Sequence, residues 1–245
     1  MRYLLLGDVH ANIDALEAVL TSAHEAGYDH ILVLGDLVGY GGDPGAVVDR
    51  IQSLHPYGAV RGNHDRTAAR LSGTTHFNPL AKQAAAWTRN TLSPEQARYL
   101  AQLRAGPLVV DDLIEICHGT PYDEDAYVFD SIDAIRAIQY ASRPVCLFGH
   151  THAPLVIYLE RGELGYDDVS DGVVVSLREG ARYLVNPGSV GQPRDGDPRA
   201  AYAIVDTSRS TVFFRRVPYA IAHAQERIRQ AGLSEALALR LAAGR

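Results

Sequence analysis

Cysteine, lysine and long apolar runs are all scarce in this chain of 245 residues. Two cysteines in a chain this size cannot form a disulfide framework, so a reducing compartment, the cytoplasm, is the expected setting. No stretch approaches the roughly 18–20 apolar residues of a membrane span. The apolar run Tyr3 to Leu6 stops at Gly7-Asp8, too short for the core of a signal peptide. Lys82 is the sole lysine, a trait that suits a GC-rich genome and says little about chemistry. Cationic charge is also in deficit: 23 basic against 29 acidic residues give a net −6 and a pI near 5.9. Such a surface has no general attraction for nucleic acid or anionic membrane. The 47% hydrophobic content and mean hydropathy of −0.09 are ordinary for a globular chain. What is present in excess is histidine, ten residues in an acidic chain.

The first third alternates between strand and helix. Residues 2–7 read as a buried strand, and Asn12 caps a helix whose apolar positions Leu16, Val19, Leu20 and Ala23 follow the 3.6 period. His30–Leu34 is a second strand, Asp43-Pro44 starts a helix to about Leu54, and Gly58–Arg61 is a third strand. Two strand–helix–strand units imply right-handed crossovers and a mainly parallel sheet. The middle is helical: Asn78-Pro79 opens one helix, and Ser93-Pro94 with Gln96 opens another with capping-box spacing. Leu108–Val110 and Leu113–Cys117 flank Asp111-Asp112 as a hairpin, followed by a helix at 131–141 and a strand at Val145–Phe148. Five short β-rich runs between Leu155 and Val217 have the texture of an antiparallel meander. The reading is one α/β domain over 1–245, with a helical insertion at about 65–104 and an amphipathic C-terminal helix at about 219–243, broken near Gly232. That helix either covers a core or forms the face of a homodimer.

Each early strand ends in a chemically loaded loop: Gly7-Asp8-Val9-His10, Gly35-Asp36, Gly62-Asn63-His64-Asp65, Cys117-His118-Gly119 and Gly149-His150-Thr151-His152. In open α/β sheets ligands sit at the carboxyl ends of strands, so these loops converge on one crevice. A single Asp or Asn after a strand is ordinarily a turn former, and a single His a surface or core residue. Five Gly-marked loops in order are not explained that way. They gather Asp8, His10, Asp36, Asn63, His118, His150 and His152, a carboxylate–imidazole set that suits Mn, Fe, Zn or Co. Seven ligands are too many for one tetrahedral zinc and fit two ions sharing a carboxylate. His24, His30, His55, His76 and His223 fall in no such block and are read as surface or structural; Cys117 and Cys146 are read as core residues.

In these blocks, GDVH, GDLVGYG, GNHD, HG and GHTH, the chain resembles the calcineurin-like metallophosphoesterase superfamily, in particular its small prokaryotic phosphodiesterases. Residues 186–199 also resemble a segment of that branch. The resemblance implies a four-layer αββα sandwich, two mixed β-sheets flanked by helices. It places Asp8, His10, Asp36 and His152 on a first ion, with Asp36 bridging to a second that also takes Asn63, His118 and His150. The cofactor it implies is a pair of divalent ions, Mn first, with Fe, Zn, Ni or Co as alternatives. Two dications against Asp8, Asp36 and a bridging hydroxide leave about one positive charge to attract a small anionic phosphate ester. The expected reaction is in-line attack by that hydroxide on phosphorus, with His64, backed by Asp65, as general acid toward the leaving group.

The chain departs from the superfamily in two places. Ala11 stands where Gly is frequent, and Asp36 is followed by Leu-Val-Gly-Tyr-Gly without the phosphate-gripping Arg of the Ser/Thr protein phosphatases. Substrate grip is therefore assigned to Arg194 or Arg66, with Tyr40 as a stacking candidate. The alternatives are a phosphomonoesterase or dinucleoside polyphosphate hydrolase, a nuclease, which the net charge opposes, and a metal-binding scaffold of the same fold.

Overall fold

Leu4 and Leu6 of β1 (Arg2–Leu6) enter one hydrophobic cluster and Tyr3 and Leu5 another, because successive strand side chains point to opposite faces. That alternation sets the layers of the molecule. The computed structural model describes residues 1–75 and 77–245, so His76 lies outside the described residues.

From β1 the chain runs through α1 (Ile13–Ala26), β2 (His30–Val33), α2 (Pro44–Ser53), β3 (Gly58–Ala59) and α3 (Asn63–Ala68). It continues with α4 (Pro79–Thr91), α5 (Pro94–Gln102), β4 (Leu108–Val109), β5 (Ile114–Ile116), α6 (Ser131–Tyr140) and β6 (Val145–Leu147). The last part holds β7 (Pro154–Glu160), β8 (Glu163–Tyr166), β9 (Val174–Ser176), β10 (Arg182–Pro187), β11 (Ala200–Asp206), β12 (Thr211–Val217), α7 (Ile221–Gln230) and α8 (Glu235–Ala243).

Two six-stranded sheets form, in the orders β3-β2-β1-β11-β12-β9 and β4-β5-β6-β10-β7-β8. Both are mixed: β1, β2 and β3 are parallel, as are β5, β6 and β10, and the other pairs are antiparallel. Tyr3, Leu5, Leu32, Ile116, Leu147, Val185 and Phe214 pack between the sheets. α1 and α2 cover the outer face of the first sheet through Leu16, Val19 and Val48, and α6 covers the second through Ala134, Ala137 and Ile138. The expected αββα sandwich is the architecture observed.

Local signals explain several elements. Asn12 accepts a hydrogen bond from Ala15 N–H at 3.1 Å, and Ser93 with Gln96 closes a reciprocal capping box. Asp43 is the N-cap of α2 with Pro44 following, as expected, but its side chain makes no capping hydrogen bond because its carboxylate pairs with Arg227 at 2.7 Å. The expected meander is also corrected: β9 joins the first sheet, β10 lies parallel to β6 in the second, and β7 pairs with an additional strand, β8. Pattern within a strand carries no information on which sheet it joins. The expected C-terminal helix is two helices parted by Gly232 at φ +69°, and Ile228, Leu237 and Leu241 cover a core that includes Tyr40. Cys117 and Cys146 are buried core residues with Sγ atoms 3.5 Å apart. Among the described residues, no helix is long and apolar enough to cross a membrane.

Candidate metal centre

The loops that follow β1, β2, β3, β5 and β6 are laced together by their backbones. Asp8 N–H donates to Gly35 carbonyl at 3.1 Å, His10 N–H to Asp36 carbonyl at 2.9 Å and Gly149 N–H to His118 carbonyl at 2.8 Å. Asp8, His10, Asp36, His150 and His152 all lie in the left-handed region, with φ between 46° and 67°. Such conformations cost about 1–3 kcal/mol each in non-glycine residues and persist only where the surroundings impose them.

The end of β10 and the segment that follows it brace several of them. Ser189 Oγ donates to Asp8 carbonyl at 2.7 Å, and Asn186 Nδ2 donates to Gly149 carbonyl at 2.8 Å. A Cβ on Gly191 would stand 1.8 Å from the Val9 carbonyl oxygen, so only glycine fits there. Sequence reasoning noted this segment only as a resemblance; its role depends on a close approach that no local pattern reveals.

Four imidazoles converge with their lone pairs inward. Nδ1–H of His10 donates to Val38 carbonyl at 3.0 Å, that of His118 to Leu34 carbonyl at 2.8 Å and that of His152 to Gln192 carbonyl at 2.6 Å. His150 is turned the other way, its Nε2–H donating to Asp125 carbonyl at 3.1 Å. A carbonyl only accepts, so each ring keeps its remaining nitrogen as a free donor to a cation. Those nitrogens face other acceptors. His10 Nε2 lies 3.1 Å from His152 Nε2 and 3.6 Å from Asp36 Oδ2, and His152 Nε2 lies 3.6 Å from Asp8 Oδ1. On the other side of Asp36, His118 Nε2 lies 3.4 Å from Asp36 Oδ2, 3.2 Å from Asn63 Oδ1 and 3.0 Å from His150 Nδ1. Electron-rich atoms gathered so closely without donors need positive charge between them. Asp8, His10, Asp36 and His152 form one set able to hold a metal ion, and Asp36, His118 and His150 another. Asp36 belongs to both, and the chemistry of these donors fits the pair of ions.

The electrostatics agree. Burial holds His10 and His152 well below the usual imidazole range, and burial together with His118 lowers His150 to about 3. Burial alone would raise Asp36, yet His118, His64 and His10 hold it well below the carboxylate range. Burial would lower His118, but Asp36 and Asp8 outweigh it and push it up to about 10. Asp8 rises to about 7, through burial and then the charge of Asp36. A cation held between these groups would displace the proton from His118 and leave its Nε2 lone pair to the metal.

His64 and Asp65 are placed differently from expectation. Asp65 does not back His64: its carboxylate accepts from Gly62 N–H at 3.0 Å and Val38 N–H at 3.2 Å and ties two loops together. His64 lies in the first turn of α3, a helix the sequence pattern missed because it is six residues long, and its N–H donates to Asp36 Oδ1 at 2.9 Å. Its ring is held by packing alone, against His10, Tyr40 and Phe77 at centroid distances of 5.0, 4.5 and 4.6 Å. Its Nδ1 is buried without a partner among the described residues and turned toward Gly39. Burial lowers its pKa to about 4.

A cavity of about 440 Å³ opens over these groups, with Asp36, Asn63, His64, His150 and His152 in its walls. Tyr40 and Arg194 also line it, and the Arg194 guanidinium carbon stands 5.7 Å from the Tyr40 ring centroid. Arg194 donates to Gln192 Oε1 at 3.1 Å and has no carboxylate partner among the described residues. Arg66, the other proposed grip, is neutralised by Glu124 and Asp125. Sequence reasoning missed Phe77 and Tyr127 on the cavity wall; both lie outside the Gly-marked blocks.

Residues 1–210 match the model of the calcineurin-like phosphoesterase superfamily domain. The uncharacterised protein MJ0912 of Methanocaldococcus jannaschii is 34% identical over 246 residues, covering 98% of this chain and 97% of its own. The crystal structure of a metallophosphoesterase from Sphaerobacter thermophilus superposes with a TM-score of 0.88 at 40% identity, covering 100% of this chain and 99% of that one. Phosphodiesterase YfcE of Escherichia coli is 24% identical over 215 residues, 84% of this chain and 88% of its own. With its domain match, its sandwich and its buried Asp–His cluster, this chain belongs to the calcineurin-like phosphoesterase superfamily and is a metallophosphoesterase, a hydrolase acting on phosphate esters.

Proposed function

We propose that the chain, acting as one domain over 1–245, is a phosphodiesterase that works on a small ester with two divalent cations, Mn²⁺ by preference. The observation that carries this reading is the convergence of four carbonyl-oriented imidazoles on Asp36. Asp8, His10, Asp36 and His152 hold one ion; Asp36, Asn63, His118 and His150 hold the other. Mixed imidazole, carboxylate and amide donors suit Mn²⁺ and its neighbours in the first row. A pair of such ions supplies an acidified water and a polarised phosphoryl oxygen for in-line displacement.

The chain's own residues do the rest. Arg194 grips a non-bridging oxygen, and Tyr40 shapes the wall beneath it. His64 offers Nε2–H to the leaving oxygen and becomes an acid as the ester's negative charge offsets the effect of its burial. Asp65 positions the loops that carry Asp36 and His64 without touching the His64 ring. A diester is favoured over a monoester dianion because Arg66 is already neutralised and Asp123 and Asp125 line the cavity. The relative YfcE, named a phosphodiesterase, supports the same preference.

Protein reconstituted with Mn²⁺ should hydrolyse methyl 4-nitrophenyl phosphate faster than 4-nitrophenyl phosphate or diadenosine tetraphosphate. Turnover confined to the monoester or the polyphosphate would overturn the diester preference. No turnover of any of them with both ions bound would make the chain a scaffold.

A further inference from the structure

His150, Tyr127 and Phe129 form a run of near-parallel rings that begins inside the metal centre and ends in solvent. The Tyr127 ring lies 3.9 Å from that of His150 at an interplanar angle of 29°, and the Phe129 ring lies 5.0 Å from that of Tyr127 at 20°. Tyr127 lines the cavity, whereas Phe129 is 81% exposed. A phenyl ring gains nothing from that exposure, and this one extends outward, ring on ring, from a wall residue of the cavity.

The backbone that carries the two rings is tied down on both sides. Glu124 and Asp125 pair with Arg66, Asp125 carbonyl accepts from His150, and Phe129 N–H donates to Asp133 Oδ2 at 3.1 Å, just before Asp130 caps α6. An aromatic surface fixed before binding loses little freedom when a flat group stacks on it. Across the cavity, Phe77 packs on His64 beside Asn78. The volume of about 440 Å³ is within the range of small-molecule sites and far exceeds what a phosphate group alone requires.

We propose that Phe129, backed by Tyr127, forms a stacking subsite for a flat substituent on the non-leaving side of the ester, a nucleobase or an aryl ring, which makes the substrates nucleoside or aryl phosphodiesters. This rests on the phosphodiesterase reading above.

Three diesters sharing the 4-nitrophenolate leaving group test it on the Mn²⁺-loaded protein: the thymidine 5′, phenyl and methyl esters. Phe129→Ala should raise KM for the thymidine and phenyl esters about fivefold or more relative to the methyl ester, since base stacking contributes about 1–3 kcal/mol. Phe129→Trp should restore both. A shift for the thymidine ester alone assigns the subsite to nucleobases, and one for the phenyl ester alone to aryl groups. Equal KM changes for all three esters, or none, overturn the proposal while leaving the phosphodiesterase reading standing. Absence of turnover in the wild type sinks that reading instead. Calorimetric binding of thymidine 5′-monophosphate against methyl phosphate, to wild type and Phe129→Ala, then decides the subsite by the same ratio. Ile132 is also 74% exposed on this face. If Phe129→Ala lowers the mass in solution and leaves the KM ratios unchanged, the patch is a subunit contact and the proposal fails.

Discussion

Replacing Gly39 by alanine isolates what the His64 ring does without removing a metal ligand. Gly39 has φ +91°, and a Cβ there would stand 2.3 Å from Nδ1 of His64 and 2.8 Å from its Cγ. Among the described residues no hydrogen bond on Nδ1 resists displacement, so the ring must swing away from the packing of His10, Tyr40 and Phe77. The backbone strain costs about 1–3 kcal/mol and the overpacking a further 1–3 kcal/mol. For a chain of this size each kcal/mol lowers Tm by about 2–4 °C. Activity should fall more steeply, about 100-fold in kcat, because a displacement of about 1 Å can cost that much. Metal content should stay at the wild-type level. The decisive comparison is a double-mutant cycle with His64→Ala, measured by steady-state kinetics and thermal melting. If Gly39→Ala acts through the ring, it should cost little further kcat in the His64→Ala background, and its Tm penalty should shrink as the clash disappears. Losses that multiply in the double variant would refute the assignment of His64.

Arg194→Ala should raise KM for a diester about 10-fold or more, as expected for a charge-assisted hydrogen bond, with Arg194→Lys recovering only part of it; an unchanged KM would return Arg194 to the role of a loop arginine. Glu124 sits between Arg61 and Arg66; burial raises its pKa, but hydrogen bonds from both arginines outweigh that and hold it below 4.5. Its stabilisation is therefore present above that value and lost as pH falls through the folded pKa. In urea melts Glu124→Gln should be less stable than wild type at pH 7, and the gap should close as pH falls through the depressed carboxyl pKa; a gap independent of pH would contradict the ion-pair account.

The centre was legible because metal chemistry needs particular side chains immediately after strands, and Gly marks each of those loops. Asp8, His10, Asp36, Asn63, His118, His150 and His152 all meet where strand-end reasoning put them. The role of Asp65 was not legible. Its neighbour in sequence is His64, yet its carboxylate turns toward Val38 and Gly62, a choice made by tertiary packing. Tyr127 and Phe77 belong to no motif, because a cavity wall needs only a flat ring, which many positions can supply. Helix starts at Asn12, Asp43, Asn78 and Ser93 followed from local signals, although the Asp43 carboxylate pairs with an arginine 184 positions away instead of capping. Sheet membership of the later strands was equally hidden, since alternation fixes a strand's faces but not its neighbours.

Metal stoichiometry tests the account most directly. Elemental analysis of protein loaded with Mn²⁺ and freed of excess ion should find two equivalents per chain. Asp36→Asn, which keeps an oxygen for His64 N–H but removes the shared charge, should hold one or none while retaining its circular dichroism spectrum. One ion in the wild type, or two retained by Asp36→Asn, would contradict a centre built around Asp36.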